Sequence, residues 1–153
     1  MKNVSRAGFT LIEVLITVAL VVILTGIYLL DANPGGQLAA TRNNRRTVDL
    51  ENIMLAIKQN IADQGNEQFG CAAGPIPTTT EIMASARGTG YYNIAPCLVS
   101  TYIEAMPFDP VASSAYYASP SDYNTGYTIM MNASGTIILS APYAELGKTI
   151  TWQ

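Results

Sequence analysis

The sequence predicts an α+β chain. A long N-terminal helix, apolar in its first half and amphipathic in its second, packs on a small C-terminal antiparallel β-sheet. Three observations predict this. Residues Phe9 to Leu30 form a run of 22 residues, of which 17 are hydrophobic. Leu50, Ile53, Met54, Ile57 and Ile61 then recur at spacings of three and four, the signature of one helix face. Finally, Tyr127 to Met131 and Thr136 to Ser140 flank Asn132-Ala-Ser-Gly135, two β-prone runs around a turn sequence.

Composition limits what such a chain does. At 153 residues it is sized for one domain. Hydrophobic residues make up 49% and charged residues only 12%, which excludes a disordered chain. The net charge is -3 and the pI about 4.7, so no broad basic surface awaits a nucleic acid. The chain has no histidine, which removes Ser-His-Asp and Cys-His nucleophile systems and the usual His-bearing zinc sites. No nucleophile–base pair, phosphate loop or metal cluster stands out, and the chain is not read as an enzyme.

The first element is the apolar run. As a helix its 22 residues span ~33 Å, about a bilayer hydrocarbon core. It is apolar on every side, and a domain this small has little with which to bury it, so a membrane span is favoured over a core helix. Lys2 and Arg6 are the only charges ahead of it, which places the N-terminus in the cytoplasm and the rest outside. An ordinary secretory signal fits poorly, because the best cleavage point, after Ala32, has Leu30 at the outer position. No Cys follows the run closely, which excludes a lipoprotein signal.

Glu13 lies inside this run, about one turn from its start. An ionisable group in a span costs ~2.5–3.5 kcal/mol at mid-helix and less near the interface, so it asks for a partner. Cleavage after Gly8 would leave Phe9 with a free α-amine, four residues before Glu13 on the same face. The amine of a neighbouring copy could serve equally. The alternative is a plain anchor with a stray carboxylate.

Gly8-Phe9-Thr10-Leu11-Ile12-Glu13, behind a short basic leader and ahead of a long apolar helix, resembles the class III signal of type IV pilins and pseudopilins. The resemblance implies cleavage between Gly8 and Phe9 by a prepilin peptidase and N-methylation of Phe9. It also implies pairing of Glu13 with the Phe9 amine of an adjacent subunit during filament assembly at an inner-membrane platform. It implies four parts: a cleaved leader (1–8), a transmembrane and assembly helix (9–30), a kinked amphipathic stalk (31–67) and an exported head (68–153). The subunit would sit in the inner membrane as a single pass. It would then enter a surface pilus or a periplasmic pseudopilus, a filament of itself and related pilins. A pseudopilin of type II secretion is the alternative, and a competence-type pilin binding DNA a second.

The stalk opens on Asp31-Ala-Asn-Pro34-Gly35-Gly36, where Pro and Gly predict a kink or local melting. A helix from about Gln37 to Asp63 follows, ended by Gly65. Arg45 and Asp49 are spaced to pair. Arg42, Arg45 and Arg46 form a small basic patch, read as a solvated face or a contact with lipid headgroups or a neighbour. Without interleaved aromatics it is a weak nucleic-acid site. A proline past the apolar half and an Arg-rich, Asp-containing amphipathic half also resemble the spine helix of pilins.

In the head, Cys71 and Cys97 are the only cysteines, and an exported domain favours their disulfide over two separate buried thiols. Between them, Thr80 is a candidate N-cap for a short helix over Glu81 to Ala86, and Leu98 to Met106 a further helical turn. The hairpin and a third strand from Thr149 to Trp152 need a helix to pack on, which the stripe supplies. The order fits the pilin-like roll. Asp109 and Asp122 are weak candidates for calcium. Major pseudopilins, a similar family, carry calcium in the corresponding loop, but this loop is not densely acidic, and turn-forming Asp is the plainer reading. Tyr91, Tyr92, Tyr116, Tyr117, Tyr123 and Tyr127 fit an adhesive surface or a core. Asn132-Ala-Ser134 matches a glycosylation sequon, a weak pattern.

Overall fold

A computed structural model of the chain describes residues 8–31, 33–65, 68–86 and 88–153. Leader residues 1–7, with Lys2 and Arg6, lie outside the described residues, as do Ala32 and the last two stalk residues, Asn66 and Glu67. The chain forms two units, residues 1–37 and 38–153.

The first unit holds helix α1, Leu11–Asp31. Within it Leu11–Leu29, 19 residues of mean hydropathy 2.5, is long and apolar enough to cross a membrane, and none of that window is buried. Two hydroxyls in this stretch are satisfied inside the helix: Thr17 donates to the Val14 carbonyl at 2.9 Å and Thr25 to that of Val21 at 2.7 Å. Back-bonding of this kind is what a hydroxyl requires in hydrocarbon.

Helix α2 runs over Pro34–Gln64. Pro34 therefore starts a helix and lies at its first position, where its missing N–H costs nothing. Asn33, at φ 31°, caps it: the Asn33 side chain accepts from the Gly36 N–H at 3.2 Å. The two glycines expected to loosen the chain are helical, and the Gln37 N–H closes on the Asn33 carbonyl at 3.2 Å.

In the second unit, Ala39, Asn43, Arg46, Leu50, Ile53, Ile57 and Asn60 of α2 form one buried stripe at alternating spacings of four and three. It packs on a sheet of six strands: β1 Glu81–Ala84, β2 Tyr91–Tyr92, β3 Tyr116–Ser119, β4 Asp122–Met131, β5 Ile137–Ser140 and β6 Thr151–Trp152. The order is β2-β1-β4-β5-β6, with β3 also on β4, and all pairs are antiparallel except β1 with β2. The β4–β5 hairpin pairs Met131 with Ile137 and Thr128 with Ser140, around the turn the sequence predicts. Leu50, Ile53, Met54 and Ile57 meet Met83, Tyr127, Ile129 and Leu139 in one core. The layout is α+β and consistent with the pilin fold.

Two local expectations are overturned. Glu81 to Ala84 is strand β1, not a helix, and the Thr80 hydroxyl lies against the Met130 sulfur instead of capping. A six-residue helix has little stability of its own, whereas this segment pairs with the central strand, Glu81 opposite Ile129 and Ile82 opposite Thr128. The helical turn expected over Leu98 to Met106 comes earlier, as α3, Ala95–Leu98, with Pro96 in its first turn. The chain then reverses at Ser100, φ 73°, and Val99 bridges to Ile103. The short β2 alongside β1 has no counterpart in the sequence reading, because two residues carry no periodicity.

Candidate functional site

The N-terminal signal lies at the start of α1. Gly8, Phe9 and Thr10 are non-helical and exposed, with Phe9 81% accessible, so the Gly8–Phe9 peptide bond lies just outside the first helical turn. Thr10 is the cap: its Oγ1 accepts from the Glu13 N–H and its carbonyl from the Val14 N–H, both at 3.3 Å. Thr10 and Glu13 thus have capping-box spacing. Only half of the box is made, since among the described residues no hydrogen bond or ion pair engages the Glu13 carboxylate. The group remains available to another partner. An acidic side chain in a first helical turn also suits the positive end of the helix dipole.

The three arginines separate on the structure. Arg46 lies on the buried stripe of α2 and is fully inaccessible. Its Nε and Nη2 hold the two oxygens of Asp109 at 2.7 and 3.1 Å, while Nη1 donates to Asn43 Oδ1 at 2.8 Å and Glu145 Oε2 at 2.9 Å. Arg42 grips the same Glu145 with two nitrogens. Asn43 brackets the Glu145 backbone, donating to its carbonyl at 2.8 Å and accepting its N–H at 3.0 Å. Arg45 alone is well exposed, 5.9 Å above the Phe108 ring and 3.8 Å from Asp49. The expected basic patch is therefore corrected to a clasp, in which Arg42 and Arg46 tie two distant loops to α2.

The electrostatics follow this geometry. Hydrogen bonds from Arg42 and Arg46 hold the Glu145 carboxyl down at about 2, against partial burial. Burial pushes Asp109 up, but the Arg46 hydrogen bond and the amides of Val111 and Ala112 leave it below the usual carboxylate range. Asp49 goes the other way: burial raises it, although the Tyr127 hydroxyl donates to it at 2.7 Å. Burial also pushes Tyr92 and Tyr123 up to about 12.

The two calcium candidates are not brought into one ligand set. Both Asp109 oxygens face the Arg46 guanidinium, whereas Asp122 is exposed and accepts from the Tyr116 hydroxyl at 2.6 Å. Among the described residues no group of three or more His, Cys, Asp or Glu is placed to hold a metal. The six tyrosines divide: Tyr92, Tyr123 and Tyr127 are core, Tyr117 is half-buried against it, and Tyr91 and Tyr116 are exposed. Cys71 and Cys97 form a disulfide with Cα atoms 5.3 Å apart.

Residues 4–29 match the family model described as the prokaryotic N-terminal methylation motif. The chain carries this methylation motif. No curated protein and no solved structure matches the chain. The methylation motif covers Gly8, Phe9 and Glu13 and most of α1, and the head lies wholly outside it.

Beyond the methylation motif, the sequence reading missed Asn43, Asn60 and Glu145. A signal for the first two was present. Asn43 and Arg46 lie seven and four residues before Leu50, and Asn60 three after Ile57, so all three project onto the apolar stripe. A polar residue in register with a buried stripe is a buried polar residue with a partner. Glu145 had no local signal, because its partners lie 99 to 103 residues away.

Proposed function

We propose that the chain is the precursor of a structural subunit of a type IV pilus-like filament. A prepilin peptidase cuts between Gly8 and Phe9, and the new α-amine of Phe9 is methylated. Helix α1 anchors the subunit in the inner membrane with the head exported. It later leaves the bilayer to bundle with α1 helices of other subunits, handled by an assembly platform. The observation that carries this reading is a single one. The methylation motif contains a carboxylate, Glu13, without a partner among the described residues, in the first turn of an apolar helix with none of its membrane-length window buried. In the filament that carboxylate would meet the Phe9 amine of a neighbour, which removes an isolated charge from an apolar bundle.

The clasp supports a structural head over a DNA-binding one. Arg42 and Arg46 spend their charge on Glu145 and Asp109, leaving Arg45 as the exposed member of the trio. The same reading serves a surface pilus or a secretion pseudopilus, and the role is that of a building unit, not of a catalyst.

The test is Glu13→Ala in cells with an active peptidase and assembly machine. Processing to Phe9 continues and filament yield falls at least tenfold. Normal filament yield from Glu13→Ala would refute the role given to the carboxylate.

A further inference from the structure

The two cysteines are held in place by groups other than their own bond. Asn60 lies on the buried stripe of α2, one turn before its end at Gln64, and is 3% exposed. Its Oδ1 accepts the Gly70 N–H at 2.8 Å. Its Nδ2 donates to the Gly70 carbonyl at 3.1 Å and to the Cys97 carbonyl at 3.4 Å. Gly70 immediately precedes Cys71, so one buried amide grips the main chain at both cysteines. The reverse orientation of this amide would set NH2 against N–H and oxygen against two carbonyls, so the network itself selects the one observed.

Each cysteine segment has further ties. On the Cys71 side, the Gly74 N–H donates to the Cys71 carbonyl at 3.1 Å, and the Tyr92 hydroxyl to the Gly74 carbonyl at 2.7 Å. On the Cys97 side, the Tyr123 hydroxyl accepts the Ala95 N–H at 3.1 Å at the start of α3, and Ile94 and Leu98 are fully buried on either side of it. These contacts place the Cα atoms of Cys71 and Cys97 5.3 Å apart, within the ~4.4–6.8 Å that a disulfide needs.

We propose that Asn60 is a non-covalent template for the disulfide. The head folds onto α2 first, Asn60 docks the two cysteine segments side by side, and oxidation then seals an arrangement already made. In the dithiol head the same three hydrogen bonds keep residues 68–74 docked. Chemically, a thiolate of one cysteine attacks a small-molecule disulfide such as glutathione disulfide and expels one glutathione thiolate. The thiolate of the other cysteine then attacks the resulting mixed disulfide and expels the second. Two electrons pass from the cysteine pair to the oxidant, and the two cysteine protons end on the two glutathione thiolates.

The experiment equilibrates the full chain in detergent micelles with glutathione redox buffers and reads the effective concentration of the cysteine pair. Asn60→Ala lowers it about tenfold or more, the factor expected from losing one buried hydrogen bond or more. Glu145→Gln, which loosens the head at the clasp, leaves it within about twofold. An Asn60→Ala value within twofold of the parent, or an equal fall in Glu145→Gln, overturns the proposal. Hydrogen exchange of the unsubstituted chain gives an arm that depends on no variant folding. The Gly70 amide, which donates to Asn60, stays protected in the parent dithiol, and free exchange at Gly70 overturns the proposal as well.

Discussion

Replacing Asp109 by alanine removes the main counter-charge of a guanidinium that has no access to water. Both partners of this pair are completely inaccessible, and the contact is bidentate, at 2.7 and 3.1 Å. Removing one member of a buried pair costs ~3–5 kcal/mol, mostly from the charge left behind. Two features of this site set the value within that range. Glu145 still holds Nη1 at 2.9 Å, which pulls the cost down. The amides of Val111 and Ala112, now bonded to Asp109 at 2.8 and 3.0 Å, lose their acceptor, which pushes it up. A loss of about 4 kcal/mol follows, or a fall in melting temperature of roughly 10–20 °C for a head of this size. Near-UV circular dichroism of the full chain in detergent, followed against temperature and urea, reads it. The comparison variant is Asp122→Asn, whose exposed carboxylate has one tyrosine partner and should cost under ~1 kcal/mol. The double variant Arg46→Met with Asp109→Leu removes both charges and should regain at least half of the loss. If Asp109→Ala destabilises no more than Asp122→Asn, the clasp does not hold the head together.

Two further outcomes follow from the same region. Glu145 has a folded value of about 2 against an ordinary one of 4.5, so its contribution is fully present above pH 4.5 and is lost as pH falls through 2. Asp109, also held low, acts in the same sense, while Asp49, held high, opposes them because its protonated form is favoured in the fold. Urea midpoints should therefore fall between pH 5 and pH 2, less steeply in Glu145→Gln; equal slopes would contradict the assignment. Gly126, at φ 71°, marks the irregularity between the two halves of β4, and an added Cβ would lie 3.2 Å from those of Ala112 and Asp109. Gly126→Ala should cost ~1–3 kcal/mol, more than Gly135→Ala, where φ is 81° but the space is open; the opposite order in urea unfolding would refute the packing argument.

What was legible in the sequence was what local chemistry controls. Gly8, Phe9 and Glu13 lie within six consecutive residues, and Leu11–Leu29 is long and apolar enough to cross a membrane. The β4–β5 hairpin was legible because Asn132 to Gly135 specifies its own turn: the Asn132 side chain accepts from the Ser134 and Thr136 amides. The interruption ahead of Pro34 is legible, since α1 ends at Asp31 and α2 starts at Pro34, but the second helix begins three residues before the expected Gln37 because Asn33 caps it. The strand at Glu81 was illegible because its apolar pair, Ile82 and Met83, fits either period and only the pairing with β4 decides. Arg46 has the charge of a surface residue but lies in register with the buried stripe of α2. Its counter-ions come from loops 63 and 99 residues further on, and no local pattern announces such a meeting.

The proposed role of the N-terminus turns on one bond, between Gly8 and Phe9, and on the amine that its cleavage frees. The direct measurement is the N-terminal residue and mass of the chain recovered from membranes or sheared filaments of cells with an active prepilin peptidase. The expected result is a chain beginning at Phe9 with a methylated amine. A chain that retains Met1 throughout, in membranes and filaments alike, would contradict it.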